Sequence, residues 1–262
     1  MSRSPRPLTW RHRVSHIALA SAAFGLLPSA TALAKDYPAP LEALEKEGLE
    51  IFGEFDAPGG LTGYAASHQG QPMTVFVTPD GEHAIVGNLI DSEANNLSNE
   101  PLDRLVQGPQ DEATWQQLEN SAWIADGNEN AERIVYVFTD PNCPYCKKFW
   151  EKARPWVESG KVQLRHVMVG ILDPQSPRQA VTMLAADDPA AVLAAHESGE
   201  TTVAPMEQLP REWEVKLQGN HELFNRLGMI ATPGLVYQTE DRMEMAQGMP
   251  QEDLFNTIMG PR

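Results

Sequence analysis

The sequence predicts two units in series. A small α+β unit with an antiparallel sheet comes first, and an α/β unit whose sheet is covered by helices on two faces follows. Three observations predict this. Short β-rich runs divided by Gly and Pro turns fill the chain from about residue 40 to about 95. From Ala131 onward strand-like and helix-like runs alternate. Between them in kind stands Cys143-Pro144-Tyr145-Cys146, which follows a buried-type apolar run and opens a helical pattern.

Taken in order, Pro40 to Lys46 reads as a short helix through Leu41 and Leu44. Leu49, Ile51, Phe52 and Phe55 mark a strand, and Gly59-Gly60 turns into a second over Leu61 to Gln69. Gly70-Gln71-Pro72 turns again. Met73 to Thr78 and His83 to Leu89 then flank Pro79-Asp80-Gly81, a hairpin signal. A unit of about 60 residues is marginal alone. It is therefore expected to dimerise through strand edges or one sheet face. Asp91 to Pro101 is polar and reads as a linker. Beyond Gly108-Pro109, Trp115, Leu118, Ala122 and Trp123 recur near helical spacing, predicting a helix over Asp111 to Asp126 that Gly127 ends. This helix reads equally well as a connector between the units or as the first helix of the second.

In the second unit, Ile134 to Thr139 is a buried-type strand and Cys146 to Val157 a helix, with Pro155 expected to kink it or shift its last turn. Val162 to Val169 is the next strand, followed by a Pro-rich turn over Asp173 to Pro177. Arg178 to Ala186 and Pro189 to Glu197 read as short helices, Ser198 to Pro210 as a loop, and Asn220 to Leu227 as a helix. Gly234 to Gln238 and Met243 to Gln247 pair around Glu240-Asp241, and Gln251 to Met259 is the last helix.

Arg3, Arg6, Arg11 and Arg13, the apolar stretch Ile17 to Leu27, and Ala32-Leu33-Ala34 have the order of a secretory signal peptide cleaved after Ala34. Removing it takes four arginines and no acidic residue, so the formal charge moves from -16 to -20. Such an acidic surface repels phosphate backbones and argues against a nucleic-acid partner. Later apolar runs are too short for a membrane span.

Export sharpens the reading of Cys143 and Cys146, the only two cysteines. A bridge across two residues closes almost no loop, so its value for stability is small and chemistry is the better explanation. With Cys143 as N-cap and Pro144 at the first helical position, the Cys143 sulfur meets unpaired N–H groups at the positive end of the helix dipole. That favours a thiolate. A thiol at pKa ~8.5 is about 3% ionised at pH 7, whereas one at ~5 is about 99% ionised. Cys146, one turn on, is placed to resolve a mixed disulfide. Pro144 and Tyr145 are expected to tune the pair. Lys147 and Lys148 add positive charge nearby, or are simply exposed helix lysines. The histidines show no metal-ligand spacing, so neither metal nor other cofactor is expected, and His166 is the histidine to watch. Thr232-Pro233, just before the last hairpin of the unit that carries Cys-x-x-Cys, is a candidate cis bond.

The segment Phe138 to Trp150, with Asp140-Pro141-Asn142-Cys143-Pro144-Tyr145-Cys146 at its centre, resembles the active-site segment of periplasmic thiol:disulfide interchange proteins of the DsbC/DsbG family. Ala153 to Val157, Ser159 to Arg165 and Val169-Gly170 resemble the DsbG branch in particular. The resemblance is strong over about residues 123–262 and architectural before that. It implies a cystatin-like α+β dimerisation domain over 35–98, a linker helix over 99–126, and a thioredoxin fold with a helical insertion over 127–262. It also implies a redox-active Cys143–Cys146 disulfide, with Cys143 attacking and Cys146 resolving, and Thr232-Pro233 as the cis-proline motif. The implied partners are a second copy, oxidised or misfolded periplasmic client proteins, and a DsbD-like membrane reductant. The implied work is isomerisation, reduction of sulfenic acid on lone cysteines, and chaperone-like binding. Two alternatives stand beside it: a DsbA-like oxidase that donates disulfides, and a non-catalytic client-binding chaperone using Met243, Met245 and Met249.

Overall fold

The computed structural model describes residues 36–239 and 242–261. The expected signal peptide, its cleavage point and the Glu240-Asp241 turn lie outside the described residues. Residues 38–262 form one compact unit.

The first part is helix α1 (Ala39–Lys46) and a sheet of four antiparallel strands in sequence order: β1 (Leu49–Asp56), β2 (Thr62–His68), β3 (Gln71–Val77) and β4 (Ala84–Val86). The Pro79-Asp80-Gly81 hairpin forms as the sequence predicts, closed by Thr78 N–H donating to the His83 carbonyl at 3.0 Å. The turn before it is tighter than expected. Gln69 and Gly70 alone make it, both at positive φ (51° and 76°), so β3 already starts at Gln71 and Pro72 lies inside it.

The expected polar linker is not loose. Ser98 is fully buried and its hydroxyl accepts from Thr74 Oγ1 at 2.9 Å and from Leu89 N–H at 3.1 Å, tying the segment to the sheet. A helix starts immediately after it. Helix α2 (Asn99–Leu102) passes through a π-helical turn (Asp103–Gln107) into α3 (Gly108–Glu119) without a break. Gly108-Pro109 therefore does not interrupt the run, because the wide turn has already shifted the bonding: Gly108 N–H donates to the Asp103 carbonyl, five residues back. Its N-terminal half packs on the first sheet through Leu102 and Val106 against Ala65. Its C-terminal half packs on the second sheet, with Trp115 edge-on to Tyr136 at 5.0 Å between ring centroids and Leu118 fully buried. Both sequence readings of this helix thus describe one end of it.

The helix stops at Glu119, seven residues before the expected end. Trp123–Asp126 is instead a strand, β5, antiparallel to β7 (Val162–Met168). Four residues whose only partner lies about 40 positions away carry no local signal that separates them from a last helical turn. The second sheet has the order β5-β7-β6-β8-β9, with β6 (Arg133–Thr139) central, β8 (Gly234–Thr239) beside it and β9 (Arg242–Gln247) at the edge. Only β6 and β7 run parallel, joined through helix α4 (Pro144–Glu158). Strand β6 alternates its two buried faces. Val135 and Val137 meet α4 and α8 (Glu252–Met259) through Phe149, Trp156 and Phe255; Tyr136 and Phe138 meet α3 and α7 (Arg211–Arg226) through Leu118 and Phe224. Both faces buried explain the unbroken apolar run in the sequence.

Between β7 and β8 lies a helical insertion: α5 (Ser176–Leu184), α6 (Pro189–Glu197) and α7. These enclose a third cluster of Ile124, Met168, Val181, Met183, Leu193 and Leu217. Helix α7 begins nine residues before the expected Asn220. Its stripe of Trp213, Leu217, Asn220 and Leu223 is broken up in sequence by Glu212, Glu214, Lys216 and Gly219, which face outward or carry no side chain. Pro155 lies inside α4 without ending it.

Gly170, just after β7, fixes how closely the insertion approaches. A Cβ there would lie 2.5 Å from the Pro177 backbone. Gly170→Ala is expected to destabilise the fold by roughly 1–3 kcal/mol in a urea titration. An unchanged midpoint would show that the α5 turn can move away freely.

Candidate active site

The turn between β6 and α4 is built by Asp140. Its carboxylate is fully buried and accepts four hydrogen bonds. Oδ1 takes the Asn142 N–H and the Ser176 hydroxyl, each at 2.8 Å, and Oδ2 takes the Ile171 and Leu172 N–H groups at 2.7 and 3.0 Å. The Asx bond to Asn142 turns the chain one residue before Cys143. The bonds to Ile171, Leu172 and Ser176 lock that turn to the start of the insertion. Asn142 adds a second link through its amide to Gln179 Oε1 at 2.7 Å. Sequence reasoning quoted Asp140 inside the motif without a role; the signal available was the Asp-x-Asn turn preceding the cysteine.

Cys143 is the N-cap of α4 in extended conformation (φ -86°, ψ 111°), and Pro144 opens the helix. Its sulfur accepts the Cys146 N–H at 3.3 Å, and its S–H can donate to the Thr232 carbonyl at 3.4 Å. The Thr232-Pro233 peptide is cis. Thus the two segments singled out 89 residues apart in sequence meet at one sulfur. Both cysteines are free thiols and both are about 2% exposed. Pro144 and Tyr145 are exposed and form the outer rim, with Tyr145 at 54%.

The environments of the two thiols pull them apart. The Cys146 S–H bonded to it, more than any other group, brings Cys143 down to about 6; burial opposes this, and the Thr232 side chain and the N–H groups of Cys146 and Tyr145 reinforce it. The Thr232 hydroxyl is buried with no hydrogen-bond partner among the described residues in the dithiol, which leaves it to donate once the sulfur is ionised. Cys146 is pushed well up, first by burial and then by the neighbouring Cys143. At pH 7 about nine in ten Cys143 sulfurs are thiolate while Cys146 keeps its proton. The Cys146 S–H, with the Thr232 side chain and the N–H groups of the helix start in support, thus ionises Cys143 at pH 7 without the more extreme value considered from sequence.

Behind this pair lies a buried polar layer that the sequence did not reveal. His196, the penultimate residue of α6, contacts the Pro141 carbonyl through Nε2 at 2.6 Å, while its Nδ1 accepts the Val203 N–H at 3.2 Å. Nδ1 as acceptor leaves the proton on Nε2, and burial, the largest influence on it, lowers the imidazole pKa, so His196 is a neutral donor to the active-site turn. Lys147 is half-buried whereas Lys148 is exposed, so only the latter fits the bland expectation. His166 is buried 3.4 Å from Asp126, which also forms a two-pronged pair with Arg154. His166 serves that pair and not the thiols. Met243 and Met249 are partly buried against the two cores, and Met245 is 47% exposed.

A reduced sample should show Cys143 thiolate absorbance titrating near pH 6; a midpoint near 8.5 would contradict the N-cap account. The contribution of Cys143 to stability has a definite sign. Its folded value lies below the unfolded one, so this group favours the folded reduced protein increasingly between about pH 6 and 8.5, while the buried Glu197, raised to about 8, contributes in the opposite sense below that value. Above that window the raised Cys146 reverses the trend, since the unfolded thiol ionises first. Asp140→Asn replaces a fourfold acceptor with a group that has one acceptor oxygen, and should cost on the order of 2–4 kcal/mol in chemical denaturation. Wild-type stability in that variant would remove Asp140 from its place as organiser.

Residues 124–260 match the Thioredoxin-like domain family, more than half the chain. The thiol:disulfide interchange protein DsbG of Pseudomonas aeruginosa is 48% identical over 232 residues, spanning 87% of this chain and 91% of that protein. DsbG of Escherichia coli is 42% identical over 238 residues, 90% and 96% of the two chains. DsbC of Dickeya dadantii is 23% identical, with 74% and 76% covered. The β6–α4–β7 unit, the β8–β9 hairpin and the insertion α5–α7 are thus a thioredoxin fold with a helical insertion, and its Cys-x-x-Cys pair carries thiol–disulfide oxidoreductase and isomerase activity. The chain belongs to the DsbC/DsbG family of periplasmic thiol:disulfide interchange proteins, on its DsbG branch.

Proposed function

We propose that Cys143 is the attacking sulfur and Cys146 the resolving one. The observation that carries this is the split between them: one thiol lowered to about 6 at a helix N-cap, the other raised by burial. The Cys143 thiolate attacks a client disulfide, its new S–S bond forming as the client's breaks and a client thiolate leaves. Cys146 then loses its proton and attacks the Cys143 sulfur. The client's second thiolate departs, and the pair is left as a disulfide. In isomerisation a client thiolate attacks in place of Cys146, and the pair stays reduced. Against a sulfenic acid, Cys143 forms the same mixed disulfide as hydroxide leaves, and Cys146 completes a two-electron reduction. Pro144, Tyr145, Thr232 and Pro233 tune the sulfur by rim and backbone contact.

The substrate class in this reading is oxidised or misfolded periplasmic proteins. Tyr145, Ile171, Leu172 and Ile230 support it: all are exposed apolar side chains on the segments that carry Cys143, the partners of Asp140, and Thr232. Residues 1–34 act as a cleaved signal peptide, and 35–98 as a cystatin-like domain that pairs two copies, with β4 as an unpaired sheet edge bearing exposed Ile85 and Val86. Continuous reduction needs an external source of electrons, and a DsbD-like membrane reductant supplies it. The pair's oxidation state in the cell separates this reading from a disulfide-donating oxidase.

A Cys146→Ser variant should accumulate mixed disulfides with periplasmic proteins through Cys143, visible on non-reducing gels and lost on adding reductant. Cys143→Ser should accumulate none. Trapping by Cys143→Ser alone would reverse the assigned roles, and equal trapping by both or trapping by neither would end the proposal.

A further inference from the structure

Glu197, the last residue of α6, is 2% exposed, and its Oε2 has no hydrogen-bond partner among the described residues. The reaction as described does not use it. A buried charged oxygen without a hydrogen-bond donor is costly, so such a group either keeps its proton or has a charge to answer. Its surroundings supply charges of both signs. Cys143, Lys147, Trp150 and Arg154 fall at intervals of four, three and four along α4, one stripe on one helix face. Helix α6 packs against this helix and against β5, and the residue before Glu197 is the histidine bonded to the Pro141 carbonyl.

The groups acting on Glu197 are identifiable from each side. From α4 come the cations Lys147 and Arg154, and from its N-cap the Cys143 sulfur; from β5 comes Asp126, itself paired with Arg154 and close to His166 of β7. From its own helix comes His196, which is neutral. Helix α5 contributes no charge here: Arg178 turns to the Glu207 carbonyl and Gln179 to the Val203 carbonyl. Of these groups only Cys143 changes charge during the reaction.

We propose that Glu197 is a positioning residue that exchanges charge with Cys143, holding a proton while Cys143 is a thiolate and releasing it when Cys143 enters a disulfide. This rests on the assignment of Cys143 as the reactive thiolate. In the dithiol form burial, above all, raises Glu197 to about 8, with the Cys143 sulfur pushing the same way and Lys147 opposing. When Cys143 is bound in a disulfide its negative charge is gone, while Lys147 remains and Arg154 stays paired with Asp126. Glu197 then ionises and balances Lys147. Besides Asp126, the layer keeps one negative charge throughout, on sulfur in one redox state and on carboxylate in the other. Reduction by a dithiol is written accordingly. The disulfide takes two electrons, Cys146 takes one proton, Cys143 stays ionised, and Glu197 takes a second proton.

The test is the number of protons taken up per two electrons. The native protein is equilibrated with reduced and oxidised dithiothreitol from pH 6.5 to 8.5, and the oxidised fraction is read by alkylation, corrected for the protons of the reagent itself. Between pH 7 and 8 the reduction constant of the wild type should fall by about 50-fold, because Cys146 takes up one proton and Glu197 most of a second. Glu197→Gln should flatten this to about tenfold. Identical slopes in the two proteins overturn the proposal. Should the Gln variant fold poorly, the carboxyl carbon of Glu197 is followed by NMR in the intact wild type. Its midpoint should be lower in the oxidised form than in the reduced form, and equal midpoints overturn the proposal. Client trapping by Cys146→Ser is independent of this measurement, so trapping with equal slopes rejects the role of Glu197 alone.

Discussion

A single buried carboxylate holds the active site in shape. Asp140 brings four donors from three segments onto two oxygens, and each of those segments has a reason to be elsewhere without it. The β6–α4 turn has to present a cysteine in extended conformation at the head of a helix. The chain after β7 has to leave the sheet for the insertion at a glycine that touches Pro177. Burying an anion is costly, and only a complete set of donors offsets it. The turn can therefore not loosen in part: losing one donor exposes the cost of the charge, so the geometry around Cys143 is held cooperatively.

That rigidity bears on the chemistry. A thiolate that is stabilised by N–H groups already in place needs no rearrangement to form. The same N–H of Cys146 that helps hold the charge also sets Cys146 one turn behind, where burial keeps its proton. One helix start thus makes two thiols of the same chain unequal. The cis Thr232-Pro233 segment completes the surroundings from the opposite side with a carbonyl and a hydroxyl.

What the sequence made legible was local. The strand Arg133–Thr139, the N-cap cysteine with its following proline, and the Thr78–His83 hairpin all depend on neighbours within a few residues, and all could be read directly. Trp123–Asp126 could not, because a four-residue strand is defined by a partner that the sequence does not mark. The first two turns of α7 were hidden by outward charges on a stripe whose inward members are widely spaced. Glu197 was equally hidden. An acidic residue at a helix end reads as surface in one dimension, and only the packing of the insertion against α4 buries it. Asp140 was visible as a residue but not as a hub, since Ile171, Leu172 and Ser176 approach it only after folding.

The helix from Asn99 to Glu119 has a bearing on where this protein can be divided. The family match begins at residue 124, the second residue of β5, which suggests a cut at the start of that strand. Yet Trp115 and Leu118 lie upstream of that point and cover Tyr136 and Phe138 on the central strand. A fragment trimmed to the match would lose the α3 part of the cover over Tyr136 and Phe138, leaving only the α7 part, and exposed apolar faces seek other surfaces. The catalytic half owns its thiols but borrows part of its roof from the segment that ties it to the other sheet.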